Sequence, residues 1–147
     1  MNSGDLAIIL ILSLLAHGWG DYIIQTDWMA NAKTEHWLPA IAHAMSYTLP
    51  FVALVLTMPA RPWPGVAALA VIGGTHAVID RYRLARHLIW ARNWLGGTRL
   101  PWSECSETGF PPDQPEWLTK WLMIIVDNLI HITINSLVII WLARYGA

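Results

Sequence analysis

The stretch LLAHGWGDYIIQTDWMANAK, Leu14–Lys33, begins inside an apolar run and carries His17 and Asp21 there, four residues apart. A run of that length and character reads as a helix in a bilayer, which needs about 20 apolar residues. Ionisable side chains are costly at that depth and are kept for a function. The rest of the chain decides whether the membrane reading holds and what the two residues serve.

The composition favours a membrane protein. Of 147 residues, 55% are hydrophobic and only 13% charged, and mean hydropathy is +0.41. A soluble domain is less apolar and carries about twice that charge. Ten tryptophans fit the aromatic belts of membrane interfaces. The net charge of −1 gives no footprint for nucleic acid. Cys105 is the single cysteine, so neither an intrachain disulfide nor a thiolate cluster is expected. The length predicts one transmembrane domain over residues 1–147.

Four segments are long enough to span: Leu6–Gln25, Leu38–Met58, Pro64–Arg81 and Leu118–Arg144. The third is short and contains Gly73 and Gly74, which would admit a neighbouring backbone closely. The first lacks a basic n-region and reads as a mature helix rather than a signal peptide. The expected fold is all-α, an integral membrane four-helix bundle. Its four short spans make a thin bundle, and a homodimer stays open.

Lysine and arginine set the orientation. Lys33 lies in the loop 26–37, and Arg83, Arg86, Arg92 and Arg99 lie in the loop 82–117. The other side has only Arg61 and Arg144. Both termini are therefore expected outside and both charged loops in the cytoplasm of a bacterial inner membrane. Within the second loop, DRYRLARHLIWARNWLGG places Leu84, Leu88, Ala91 and Leu95 on one helical stripe among arginines. That predicts an interfacial amphipathic helix between spans three and four, closed by Gly96–Gly97. TRLPWSECSETGFPPDQPEW reads as an irregular loop, either a lid or a solvated connector.

The pair in the first span recurs. Span three contains His76 and Asp80, span four contains Asp127 and His131 in reverse order, and span two adds His43. Residues four apart share a helix face. With helices alternating in direction and rising 1.5 Å per residue, most of these groups lie roughly 5–20 Å below the same membrane face. Imidazole with carboxylate suits zinc, iron or manganese. The metal-ligand candidates are His17, Asp21, His43, His76, Asp80, Asp127 and His131. Seven groups exceed the three or four of a mononuclear site, so one or two ions are open. Some of the seven instead orient ligands, as carboxylates do for metal-bound histidines. A metal-free proton relay and purely structural polar packing are the alternatives.

Gln25 and Asp27 follow the first pair at the membrane edge and are candidates to orient ligands, while Thr26 caps the next turn. Lys33, Arg81 and Arg83 are candidates to bind an anionic substrate group, although all three also serve the topology signal. Asn128 and Asn135 are expected to bond between helices. His36 and His87 read as surface residues.

AHGWGDYIIQTDWMANAK, IAHAMSYTLPF, GTHAVIDRYRL and DNLIHI together resemble the small bacterial and phage membrane proteins grouped as domain of unknown function 3307. The resemblance implies His17, Asp21, Gln25, Asp27, Lys33, His43, His76 and Asp80 as pattern residues, all present here. It is similar more distantly to membrane-bound metal-dependent hydrolases.

A bound divalent metal would supply hydroxide near neutral pH. The expected function is hydrolysis of a lipid or lipid-linked phosphate or ester at the cytoplasmic face, with Asp21, Asp80 or Asp127 as general base. Two other functions remain: a proton or divalent-metal transport or relay protein, and a non-enzymatic phage-type membrane regulator or disruptor. The outer halves LAIILILSLL and PFVALVLTM are almost wholly apolar, which disfavours a through-pathway.

Overall fold

The computed structural model describes residues 3–146. The chain is all-α, and the described residues form no strand. The helices are α1 (Ser3–Gly18), α2 (Asp27–Ala32), α3 (Trp37–Leu56), α4 (Pro62–Tyr82), α5 (Leu84–Leu95), α6 (Trp102–Cys105) and α7 (Glu116–Tyr145). A π-helical turn, Trp19–Ile24, prolongs α1. Four helices are long and apolar enough to cross a membrane: Gly4–Ile24, Trp37–Leu56, Pro62–Tyr82 and Glu116–Tyr145. These match the four expected spans to within about two residues at each end, the normal scatter of helix boundaries. Large apolar side chains face outward along them, such as Leu56 at 80% exposure and Met45 at 68%. In lipid such exposure has no hydrophobic cost, and the helix satisfies its backbone internally. Pro50 inside α3 removes one of those backbone bonds, a loss that neighbouring groups make good in membrane helices.

Two compact units divide the chain, one from the N-terminal part through Arg81 together with His131 onward, the other Tyr82–Ile130. The first gathers α1, α3, α4 and the second half of α7 around one apolar core. Phe51, Leu54, Ala68, Ile72, Ile139 and Leu142 are buried in it. The backbone N–H of Arg61 donates to the Gly146 carbonyl (2.7 Å) and ties the far end.

In the second unit, α5 begins at a break rather than continuing α4, because Arg83 adopts the left-handed conformation (φ 50°, ψ 52°). That backbone disfavours a β-carbon. The Arg83 guanidinium donates to the Glu107 carbonyl (3.1 Å), which helps to hold it. The segment after α5 is more ordered than its Pro-, Gly- and Ser-rich sequence suggests. It contains α6 and folds back on α5. Trp90 donates to the Leu100 carbonyl (3.1 Å), Arg86 to that of Ser106 (2.9 Å) and Asn93 to that of Gly109 (3.2 Å). Ala85 and Ile89 form the buried face of α5, whereas Leu88 and Leu95 of the anticipated stripe are exposed.

Candidate metal centre

In the first unit every long helix passes from polar to apolar side chains in steps of about one turn. On α3 the buried series is His43, Tyr47, Phe51, Leu54. On α4 it is Asp80, His76, Ile72, Ala68, and on α7 it is His131, Asn135, Ile139, Leu142. The first helix adds His17 and Ser13, both buried, with Asp21 in the π-helical turn beyond it. Spacings of three and four keep each series on one face, so four helices build one polar layer over the core. Gly20 lets the turn approach α3. A β-carbon there would stand 2.6 Å from Cδ2 of Tyr47 and 3.0 Å from its carbonyl oxygen.

Four donor atoms converge in this layer. Nε2 of His43 lies 3.2 Å from Asp21 Oδ1 and 3.3 Å from Asp80 Oδ2. Nε2 of His76 lies 3.4 Å from Asp21 Oδ1 and 3.3 Å from Asp80 Oδ2. The two Nε2 atoms are 2.9 Å apart. Donors placed 2.0–2.1 Å from a tetrahedral ion are separated by about 3.3 Å. Four of the six edges are thus close to that value, and the edge between the two histidines is shorter. All four atoms lie within 4.8 Å of one another, and these residues could hold a metal ion. The histidines and Asp80 are almost fully buried, while the Asp21 side chain keeps 12% exposure.

Other groups surround the four. Lys33 donates to Asp80 Oδ2 (2.6 Å) and to Gln25 Oε1 (2.7 Å). The second oxygen of Asp80 faces Nε2 of His131 at 3.2 Å. The second oxygen of Asp21 faces Nδ1 of His17 at 3.7 Å. Tyr47 pairs its hydroxyl with His17 Nδ1 (2.9 Å) and accepts from Asn135 Nδ2 (2.7 Å). Two buried carboxylates in an apolar setting demand cationic or hydrogen-bonding partners, and this shell supplies them on every side.

Of the anticipated residues, His17, Asp21, Gln25, Lys33, His43, His76, Asp80 and His131 come together. Asp127 is half-buried one helical turn before His131, in the second unit. Asp27 is exposed in the first turn of α2. Arg81 gives its guanidinium to the carbonyls of Thr34 (2.5 Å) and Glu35 (2.9 Å) and lies over Trp37. Arg83 is used within the second unit. Tyr47 was not among the sequence candidates, although it follows His43 at the same four-residue spacing as the other pairs. Asn135 does bond between helices, as expected of it.

A family model described as Protein of unknown function (DUF3307) matches residues 9–146. No curated protein and no solved structure matches the chain.

Proposed function

The chain belongs to the DUF3307 family, whose description carries no activity, and from the centre itself we propose a membrane-embedded, metal-dependent hydrolase. The observation that carries the reading is the convergence of the His43, His76, Asp21 and Asp80 donor atoms, 2.9–3.4 Å apart in five of their six pairs. Two imidazoles and carboxylate oxygens suit zinc best, with iron or manganese as the other candidates. Asp80 turns its two oxygens to different histidines, which also suits a two-ion form bridged by this carboxylate.

A bound ion would bring the pKa of a coordinated water toward neutrality. His43, His76 and Asp80 make a set of three protein ligands, the number that catalytic zinc sites use. With those three as ligands the fourth position of the set would be left to water, and Asp21, the more exposed carboxylate, would serve as its general base instead of ligating. Lys33, steered by Gln25, presents positive charge beside the centre to an anionic group. The substrate class is a lipid or lipid-linked phosphate or ester, since the centre belongs to four helices of membrane-spanning length. Lys33 and the arginine-rich loop 82–117 favour the cytoplasmic side of a bacterial inner membrane.

The relay reading needs polar groups continuing through the helices. Beyond Ser13, Tyr47 and Asn135 the buried residues include Phe51, Ile72 and Ile139, which disfavours such a path. Elemental mass spectrometry of the detergent-purified protein tests the proposal. We expect roughly one or two equivalents of a transition metal, lost in His76→Ala and Asp80→Asn, and metal-dependent release of phosphate or fatty acid from a lipid panel. A folded wild-type protein that takes up no metal overturns it.

A further inference from the structure

Tyr47 touches all four buried histidines. Its ring stacks on His76 with centroids 3.6 Å apart and planes 13° from parallel. It meets His17 edge-on at 5.8 Å and approaches His43 and His131 at 6.2 Å each. The side chain is completely buried. A buried phenol needs a polar partner, and here Asn135 donates to the oxygen that also meets His17.

A metal-ligating histidine ordinarily donates its other ring N–H to a carboxylate or carbonyl, which fixes the ring plane. His76 departs from this. Its Nδ1 is buried and has no hydrogen-bond partner among the described residues. The torsion that orients an imidazole is broad by itself, so another contact has to define the plane. The parallel face of Tyr47 is that contact.

We propose that Tyr47 is the positioning residue of the centre: its ring sets the plane of His76, and its Asn135-anchored hydroxyl sets His17 beside Asp21. The assignment rests on the metal reading for its consequence but not for its geometry. Gly20 belongs to the same device, since a side chain there would occupy the space of the Tyr47 ring. Tyr47 acts through the histidines, with no reacting group of its own.

The test compares Tyr47→Phe, Tyr47→Met and Asn135→Ser in the full chain in detergent, labelled with 15N-histidine. Imidazole spectra are read without metal and during Co(II) titration, and His76→Asn assigns the His76 ring. Tyr47→Phe keeps the stacked ring, and we expect an unchanged His76 resonance and nearly unchanged Co(II) affinity. Tyr47→Met loses the stack, shifts that resonance and weakens Co(II) binding about 10–100-fold. Asn135→Ser moves the His17 resonance and spares that of His76. An unmoved His76 resonance and wild-type Co(II) affinity in Tyr47→Met overturn the proposal. So do equal losses of Co(II) affinity in the Phe and Met variants, or an unmoved His17 resonance in Asn135→Ser, which decides the matter if Tyr47→Met fails to fold. Wild-type protein that ignores Co(II) refutes the hydrolase reading, while the metal-free spectra still judge Tyr47.

Discussion

His43 and His76 aim their Nε2 atoms at one another across 2.9 Å, with a carboxylate oxygen on either side. Two lone pairs cannot face each other at that distance without a proton or a cation between them. A metal ion accepts both. Removing it with a chelator should therefore lower the thermal midpoint, and adding it back should restore it. At a hundredfold excess over its Kd an ion contributes about 2.7 kcal/mol to stability. His76→Ala is expected to abolish the chelator response, whereas His36→Ala, at an exposed position, keeps it. Differential scanning fluorimetry with and without EDTA reads the difference.

Lys33, the C-cap of α2, is bonded to Asp80 and Gln25, both outside that helix. Lys33→Met should destabilise the metal-free protein by about 1.5–3 kcal/mol, the range for a hydrogen bond to a charged group. Added metal should recover part of that loss, because the ion supplies the charge that Asp80 then lacks. Equal midpoints for wild type and variant without metal would show that the ammonium contributes nothing there.

Gly20 and Gly74 make a matched pair. A β-carbon at Gly20 collides with Tyr47, and one at Gly74 meets nothing within 4 Å. Gly20→Ala should cost about 1–3 kcal/mol, as overpacking does, and should weaken metal binding through Tyr47. Gly74→Ala should leave both nearly unchanged. Denaturation midpoints and metal titrations of the two variants make the comparison.

His87 stacks on Trp102 at 4.3 Å. Burial, and then the neighbouring charge of Arg86, hold its pKa below the ordinary value of about 6.5. A depressed histidine pKa contributes stability that is present above the unfolded value and lost as pH falls through the folded one. NMR titration should place the His87 midpoint below 6.5, and Arg86→Gln should raise it. An unchanged midpoint in that variant would remove Arg86 as a cause.

The four helices and the polar layer were legible because both depend on local spacing. Apolar length defines a span, and a four-residue repeat defines a face. His17, Asp21, His76 and Asp80 are therefore placed by the sequence alone. What stayed hidden depends on contacts between distant segments. From its sequence Lys33 reads as a topology residue or a ligand for an anionic substrate group, yet it reaches an aspartate 47 residues away. Tyr47 looks like one more aromatic in an apolar helix until His76 is stacked on it. Arg81 spends its donors on the Thr34 and Glu35 carbonyls, which no charge pattern announces. In the second unit, Pro and Gly content suggested an irregular segment, but side-chain bonds to three carbonyls order it on α5.

The polar layer draws one or more members from each long helix, and this gives its assembly an order in time. A ribosome delivers the α1 members, Ser13, His17 and then Asp21, first, and His43 follows 22 residues after Asp21. Asp80 comes 47 residues after Lys33. His131 and Asn135 emerge last, His131 standing 51 residues behind the carboxylate that it faces. Until that final helix is released from the translocon, Asp80 lacks one of its partners and the Tyr47 hydroxyl lacks Asn135. The unfinished chain thus carries polar groups whose bonds only the last helix completes.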